Sequence, residues 1–170
     1  MWRKSLKIKL PVMIAGPVIV FFFLFISYSI NSLKKSLRTE TERRAKALCT
    51  NILNTVKYHL ESYTIARRAG LPTDTTAIKK AMLPFITGEM IYGVVYDPNL
   101  QPIVQINGHL LREKTLPSFS FESTYLKINE IEKGKKVMDV AMPVTSEGLG
   151  LIGFVRCGMD LKLYYESIST

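Results

Sequence analysis

The sequence predicts an α+β protein in which one long N-terminal helix, part membrane span and part stalk, packs on an antiparallel sheet. Three observations lead there. Residues Leu10 to Leu33 carry no charge and are mostly apolar. Beyond them, apolar side chains recur at Ile30, Leu33, Leu37, Ala45, Leu48, Ile52, Val56, Leu60 and Tyr63, a helical period close to a heptad. From Met90 onward, β-branched and aromatic runs alternate with turn residues, which is strand grammar.

The apolar run has the length of a span. A helix rises about 1.5 Å per residue, so roughly 20 residues match a hydrocarbon core of about 30 Å. A cleaved signal also starts with basic residues such as Arg3, Lys4, Lys7 and Lys9, but its apolar part is about 7 to 15 residues long and ends in small residues. Here the run passes into Ser27-Tyr28-Ser29-Ile30-Asn31, so a retained anchor is expected. Pro11 suits a helix start and Pro17 a tolerated bend. The basic tail is denser in charge than the segment holding Lys34, Lys35, Arg38, Arg43, Arg44 and Lys46, and long translocated domains largely escape the positive-inside rule. The tail is therefore placed inside and the rest outside.

About 140 residues follow the span, enough for one domain with its own core. The net charge of +9 is concentrated in the tail and in positions 34 to 46, where basic residues meet anionic headgroups. No basic stripe interleaved with aromatics follows, so nucleic acid is not an expected partner.

A helix from about Asn31 to Arg68 should stop at Gly70-Leu71-Pro72. Thr73-Asp74-Thr75-Thr76 offers capping oxygens to a short helix over Ala77 to Leu83, ended or bent by Pro84. Met90 to Tyr96 and Pro102 to Ile106 read as a hairpin around Asp97-Pro98-Asn99. Gly108 to Phe121 is irregular, and Glu122 to Lys133 is expected to hold one or two helical turns. Lys136 to Val144 and Leu149 to Met159 form a second hairpin, and Asp160 caps a last helix, Leu161 to Ser167. Strands joined by short turns pair antiparallel.

Catalytic signals are weak. Gly148-Leu149-Gly150-Leu151-Ile152-Gly153 matches a dinucleotide fingerprint, but a β-rich stretch follows where a helix is needed. His59 and His109 lack paired carboxylates at ligand spacing, Asp97 reads as a turn residue, and Asp139 reads as a solvated strand position. No catalytic residue, metal or cofactor is expected, and the chain is read as a non-enzyme. Cys49 and Cys157 stand far apart; an oxidising compartment permits a bridge, while burial as small apolar side chains is the commoner fate.

The span, the long helix, Ile91-Tyr92-Gly93-Val94-Val95-Tyr96-Asp97-Pro98-Asn99, and Asp139-Val140-Ala141-Met142-Pro143-Val144 leading into Leu151-Ile152-Gly153-Phe154-Val155-Arg156-Cys157-Gly158-Met159-Asp160-Leu161 together resemble the extracytoplasmic Cache (PAS-like) sensor domains of bacterial histidine kinases and chemoreceptors. The resemblance implies a single antiparallel sheet behind the long helix, and a sensor of small solutes such as organic acids or amino acids. It divides the chain into a cytoplasmic tail (1–9), a transmembrane helix (10–30), a stalk helix (31–70) and a sensor domain (71–170). It implies single-pass insertion in the cell inner membrane, with the C-terminal domain periplasmic or extracellular. In that family a second span, a HAMP linker and an output domain follow. None follows Asp160 to Thr170, so the expectation is either a receptor fragment or a module that passes its state to a separate signalling protein.

Candidate ligand-binding residues are the polar-ended side chains on or beside the strands: Tyr92, Tyr96, Arg112, Tyr125, Lys127 and Arg156. Arg156 favours an anionic solute because a guanidinium holds a carboxylate bidentately. The plain alternative for each is a strand residue facing water. A homodimer through the stalk is also expected, from the near-heptad pattern. The competing reading of the whole chain is an anchored structural or protein-interaction module with the same fold.

Overall fold

The computed structural model describes residues 3–86, 90–111, 124–131 and 135–162, and side chains from Ala15 onward. Helix α1 spans Arg3–Arg68. The chain divides into two compact units, Met1–Glu40 and Thr41–Thr170.

In the first unit, every side chain from Val18 to Phe25 is exposed. An uninterrupted apolar surface of this kind marks a contact with a membrane or with another protein. It belongs to the one helix among the described residues that is long and apolar enough to cross a membrane.

The second unit is built on the sequence pattern. Helix α1 ends as its residues require: the Gly70 backbone is left-handed at φ 68°, the Leu71 N–H donates to the Ala66 carbonyl at 2.9 Å and the Gly70 N–H to Arg67 at 3.2 Å. These are the two bonds of a Schellman close, and glycine adopts that conformation without strain. Helix α2 (Thr76–Met82) follows, then a 3-10 turn at Leu83–Phe85 that carries Pro84. Thr75 stands at the N-cap and makes no side-chain capping bond; ahead of it Asp74 Oδ1 accepts the Thr76 N–H at 2.8 Å in an Asx turn.

Strands β1 (Met90–Tyr96), β2 (Pro102–Ile106), β3 (Tyr125–Glu130), β4 (Lys136–Ser146) and β5 (Gly150–Asp160) form one sheet in the order β2-β1-β5-β4-β3. All its pairings are antiparallel. Both hairpins are where the turn residues placed them. Strand β5 begins within the glycine fingerprint, at Gly150, and runs on through the stretch where dinucleotide binding would need a helix. Gly153 allows close packing, because a Cβ there would strike the Tyr96 carbonyl oxygen.

One element differs from expectation. Tyr125–Glu130 is an edge strand and not helical turns. Its alternation explains why: Leu126 and Ile128 pack towards α1, whereas Tyr125 packs on the other side, a period of two that a helix cannot satisfy. The expected last helix, Leu161 to Ser167, lies almost wholly outside the described residues.

Residues Ala45, Cys49, Ile52, Val56 and Leu60 of α1 are fully buried against Val140, Val144, Ile152, Val155 and Cys157 of the sheet. The apolar stripe beyond Ala45 is thus a core face. Gly93 is the point at which α2 approaches the sheet, since a Cβ there would meet Met82 and Ile86.

Candidate functional site

Successive strand residues point to opposite faces, so each strand contributes every second side chain to the face turned away from α1. Residues directly opposed across strands share a face, and the registers give its rows. Tyr92, Gly158, Asp139 and Lys127 form one row; Val94, Arg156, Ala141 and Tyr125 form the next; Tyr96, Phe154 and Pro143 form a third. Leu111 and Ile131 join the cluster on this face and are themselves buried.

At its centre lies a buried ion pair. Arg156 Nη2 donates to Asp139 Oδ2 at 2.6 Å, and Nε donates to Oδ1 at 3.0 Å and to Oδ2 at 3.1 Å. Asn129 Nδ2 adds a bond to Oδ2 at 2.7 Å. The two ions are 1% and 0% exposed. Desolvation of such charges costs several kcal/mol each and is recovered only with good geometry and saturated hydrogen bonding. The carboxylate here accepts four contacts, so the geometry supplies what burial removes. Burial by itself would lower the Arg156 pKa, but the bond and charge of Asp139 more than offset it and hold the guanidinium charged well above its ordinary range.

Two tyrosines flank the pair. Tyr92 and Tyr96 are fully buried, and burial pushes both phenols up from their usual value, against the opposing pull of Arg156. The Tyr92 hydroxyl lies beside Asp139 but makes no well-aligned hydrogen bond among the described residues. A buried polar group left so costs about 1–3 kcal/mol. Gly158 is what admits it: a Cβ at that position would occupy the space of the Tyr92 ring. Beside Tyr96, a cleft of about 190 Å³ is bounded by Val94, Leu100, Gln101, Pro102, Gln105, Gly108 and Leu111.

A second cleft of about 250 Å³ lies between the last turns of α1 and the β1–β2 turn. Its chemistry is that of a turn. Asp97 Oδ1 accepts the backbone N–H groups of Asn99 at 2.9 Å and Gln101 at 2.8 Å, while Oδ2 accepts Arg67 Nη1 at 2.9 Å. Asp97 is therefore the turn residue expected from sequence, with a tie to α1 in addition.

Among the six candidate binding residues, Tyr92, Tyr96 and Arg156 come together in the buried centre. Tyr125 is on the same face and half-buried, Lys127 is on it and exposed, directly across from Asp139, and Arg112 lies outside the described residues. Sequence reasoning missed Asp139, Asn129 and Gly158. Asp139 was expected to be solvated and is instead fully buried. The available signal was its setting, a single acid within Val137-Met138-Asp139-Val140-Ala141-Met142 facing a strand whose interior holds a single arginine. Among the described residues, no three His, Cys, Asp or Glu side chains converge as metal ligands.

No family model and no curated protein sequence matches the chain. Solved structures do. The sensor domain of E. coli DcuS is 14% identical, with 79% of this chain and 99% of that one covered and a TM-score of 0.52. The sensor domain of the V. cholerae histidine kinase DctB is 13% identical over 85% of this chain and 60% of that one, with a TM-score of 0.49. The ligand-binding domain of the Pseudomonas fluorescens chemoreceptor CtaA, solved with L-serine, is 12% identical over 81% of this chain and 63% of that one, with a TM-score of 0.35. Of these three, the DcuS superposition exceeds 0.5, and at its identity it speaks for the fold. A helix behind a five-stranded antiparallel sheet is accordingly a fold that this chain shares with the DcuS sensor domain, and it is the single sheet behind a long helix that the resemblance led one to expect.

Proposed function

We propose that the chain is a membrane-anchored extracytoplasmic sensory module that binds a small solute on the sheet face turned away from α1 and signals through the helix. One observation carries this reading: a sheet whose helix-side face is apolar keeps a buried Arg156–Asp139 pair, bonded to the half-buried Asn129 and flanked by two buried phenols, on its other face. A purely structural sheet has little use for such a cluster, since apolar replacement of a buried ion pair is often neutral or stabilising. The fold shared with a sensor domain supports the same reading.

The ion pair changes the ligand expected from sequence. A lone Arg156 favours an anion, whereas Arg156 neutralised by Asp139 presents donor and acceptor side by side. A small polar solute carrying both kinds of group is the better fit, and Tyr92 and Tyr96 would contact it. The tail lies on the cytoplasmic side of the inner membrane, the sheet domain lies on the other side, and a separate protein or a following segment carries the output. A homodimer, if formed by the stalk, uses the face bearing Tyr58 and Ile65, which are 72% and 55% exposed, because the Ala45 to Leu60 stripe is occupied by the sheet.

Thermal unfolding of the full chain in nanodiscs, run across a panel of amino acids, organic acids and neutral polar solutes, tests the proposal. A ligand present at 100 times its Kd stabilises by about 2.7 kcal/mol, a shift of several degrees. A panel that moves nothing, with a protein that unfolds cooperatively, contradicts it.

A further inference from the structure

Cys49 and Cys157 are both free thiols and both buried. Cys49 projects from the sheet-facing side of α1, one turn after the small residue Ala45. Its Sγ lies 4.0 Å from the Val140 carbonyl oxygen and 3.9 Å from that of Val155. These are flanking positions of Cys157: Val140 is its Cα partner across β4–β5, and Val155 precedes it by two on the same strand and face. The sulfur of Cys49 therefore hangs over the strand positions that surround the other cysteine. The two cysteine side chains thus lie in the same helix–sheet layer of the core, with the Cys49 sulfur over the backbone on either side of Cys157. The thiols also sense each other, since burial and then the bond to Cys49 hold the Cys157 thiol well above its ordinary value.

We propose that Cys49 and Cys157 are a disulfide site that fastens helix α1 to the central strand β5. The inference rests on the extracytoplasmic placement proposed above, because a reducing compartment keeps such thiols reduced. Closing the bond removes two protons and two electrons from the two thiols. The acceptor is the disulfide of an exported thiol oxidase, which leaves as two thiols after exchange through a mixed disulfide. Both thiols are buried in the folded chain and out of reach of an external disulfide, so the exchange belongs to folding, before the helix closes over the sheet. The bridge has a mechanical consequence. Cys157 adjoins Arg156, whose side chain enters the opposite face, so the strand that carries the buried ion pair is tied covalently to the helix.

The test uses the full chain in membranes of aerobically grown cells, acid-quenched, denatured, labelled with a maleimide, reduced, and labelled with a second maleimide. Neither cysteine should take the first label, and both should take the second. Trypsin without reduction should yield peptide 47–57 linked to peptide 157–162, and reduction should abolish the linked mass. Cys49→Ala should expose Cys157 to the first label, a readout taken under denaturing conditions and so independent of folding. A link between two copies through Cys49 would overturn the proposal. Free thiols in cells, together with failure of the purified, refolded chain to form the link in oxidised glutathione, would overturn the pairing itself. Free thiols in cells with ready linkage in glutathione would overturn the native bridge and, separately, the extracytoplasmic placement.

Discussion

The two faces of one sheet solve different problems. Towards α1, Ile52, Val56, Leu60, Val140, Ile152 and Val155 make a closed apolar core, and close packing alone accounts for it. Away from α1, a surface whose centre is buried as deeply is interrupted there by Arg156, Asp139 and two phenols, with half-buried Asn129 at its margin. Burial is therefore a poor guide to role in this molecule. What separates the faces is the kind of group buried, and whether its partners satisfy it.

That contrast can be broken by substitution. The largest loss is expected for Asp139→Ala, which strands a buried guanidinium and costs about 3–5 kcal/mol in denaturant unfolding. The double variant Asp139→Leu with Arg156→Met should recover most of it, while ligand response stays lost. On the helix face, Ile52→Ala should cost about 2–5 kcal/mol by cavity formation and leave solute affinity of the folded protein unchanged. Gly158→Ala places a methyl in the Tyr92 ring, so it should cost about 1–3 kcal/mol as overpacking and weaken ligand response as well.

Alkaline pH sharpens the comparison further. Folding holds the Tyr92 phenol above its usual pKa, so the folded chain keeps a proton that the unfolded chain loses above about pH 10. Its contribution is complete below pH 10 and falls by about 1.4 kcal/mol per pH unit above it. Urea midpoints measured between pH 9 and 11.5 should decline faster in wild type than in Tyr92→Phe. At neutral pH that variant should be the mildest, within about 1 kcal/mol of wild type, because the hydroxyl it removes makes no well-aligned hydrogen bond among the described residues.

Most of the fold was legible because its signals are local. The Gly70-Leu71-Pro72 stop, the Asp97 turn and the apolar steps of α1 each depend on neighbours a few residues away. Strand β3 was less so: Tyr125 to Glu130 is a half-exposed edge, and its weak alternation gains meaning only beside β4. The site was legible in part. Tyr92, Tyr96 and Arg156 could be chosen as polar-ended side chains on apolar strands, but the Asp139–Arg156 pairing is a diagonal across two strands, set by register and invisible to a residue-by-residue reading. The role of Gly158 is of the same kind, since it exists only because Tyr92 lies opposite.

The central claim is that the face away from the helix binds the solute. Its most direct test is a titration of the full chain in nanodiscs with the solute that most raises the wild-type unfolding temperature, repeated on Tyr92→Phe and on Ile52→Ala. The account predicts at least a tenfold weaker affinity for Tyr92→Phe, about 1.4 kcal/mol, with Ile52→Ala binding as wild type below its own unfolding temperature. Equal affinity in wild type and Tyr92→Phe, with weakened binding in Ile52→Ala, would contradict it.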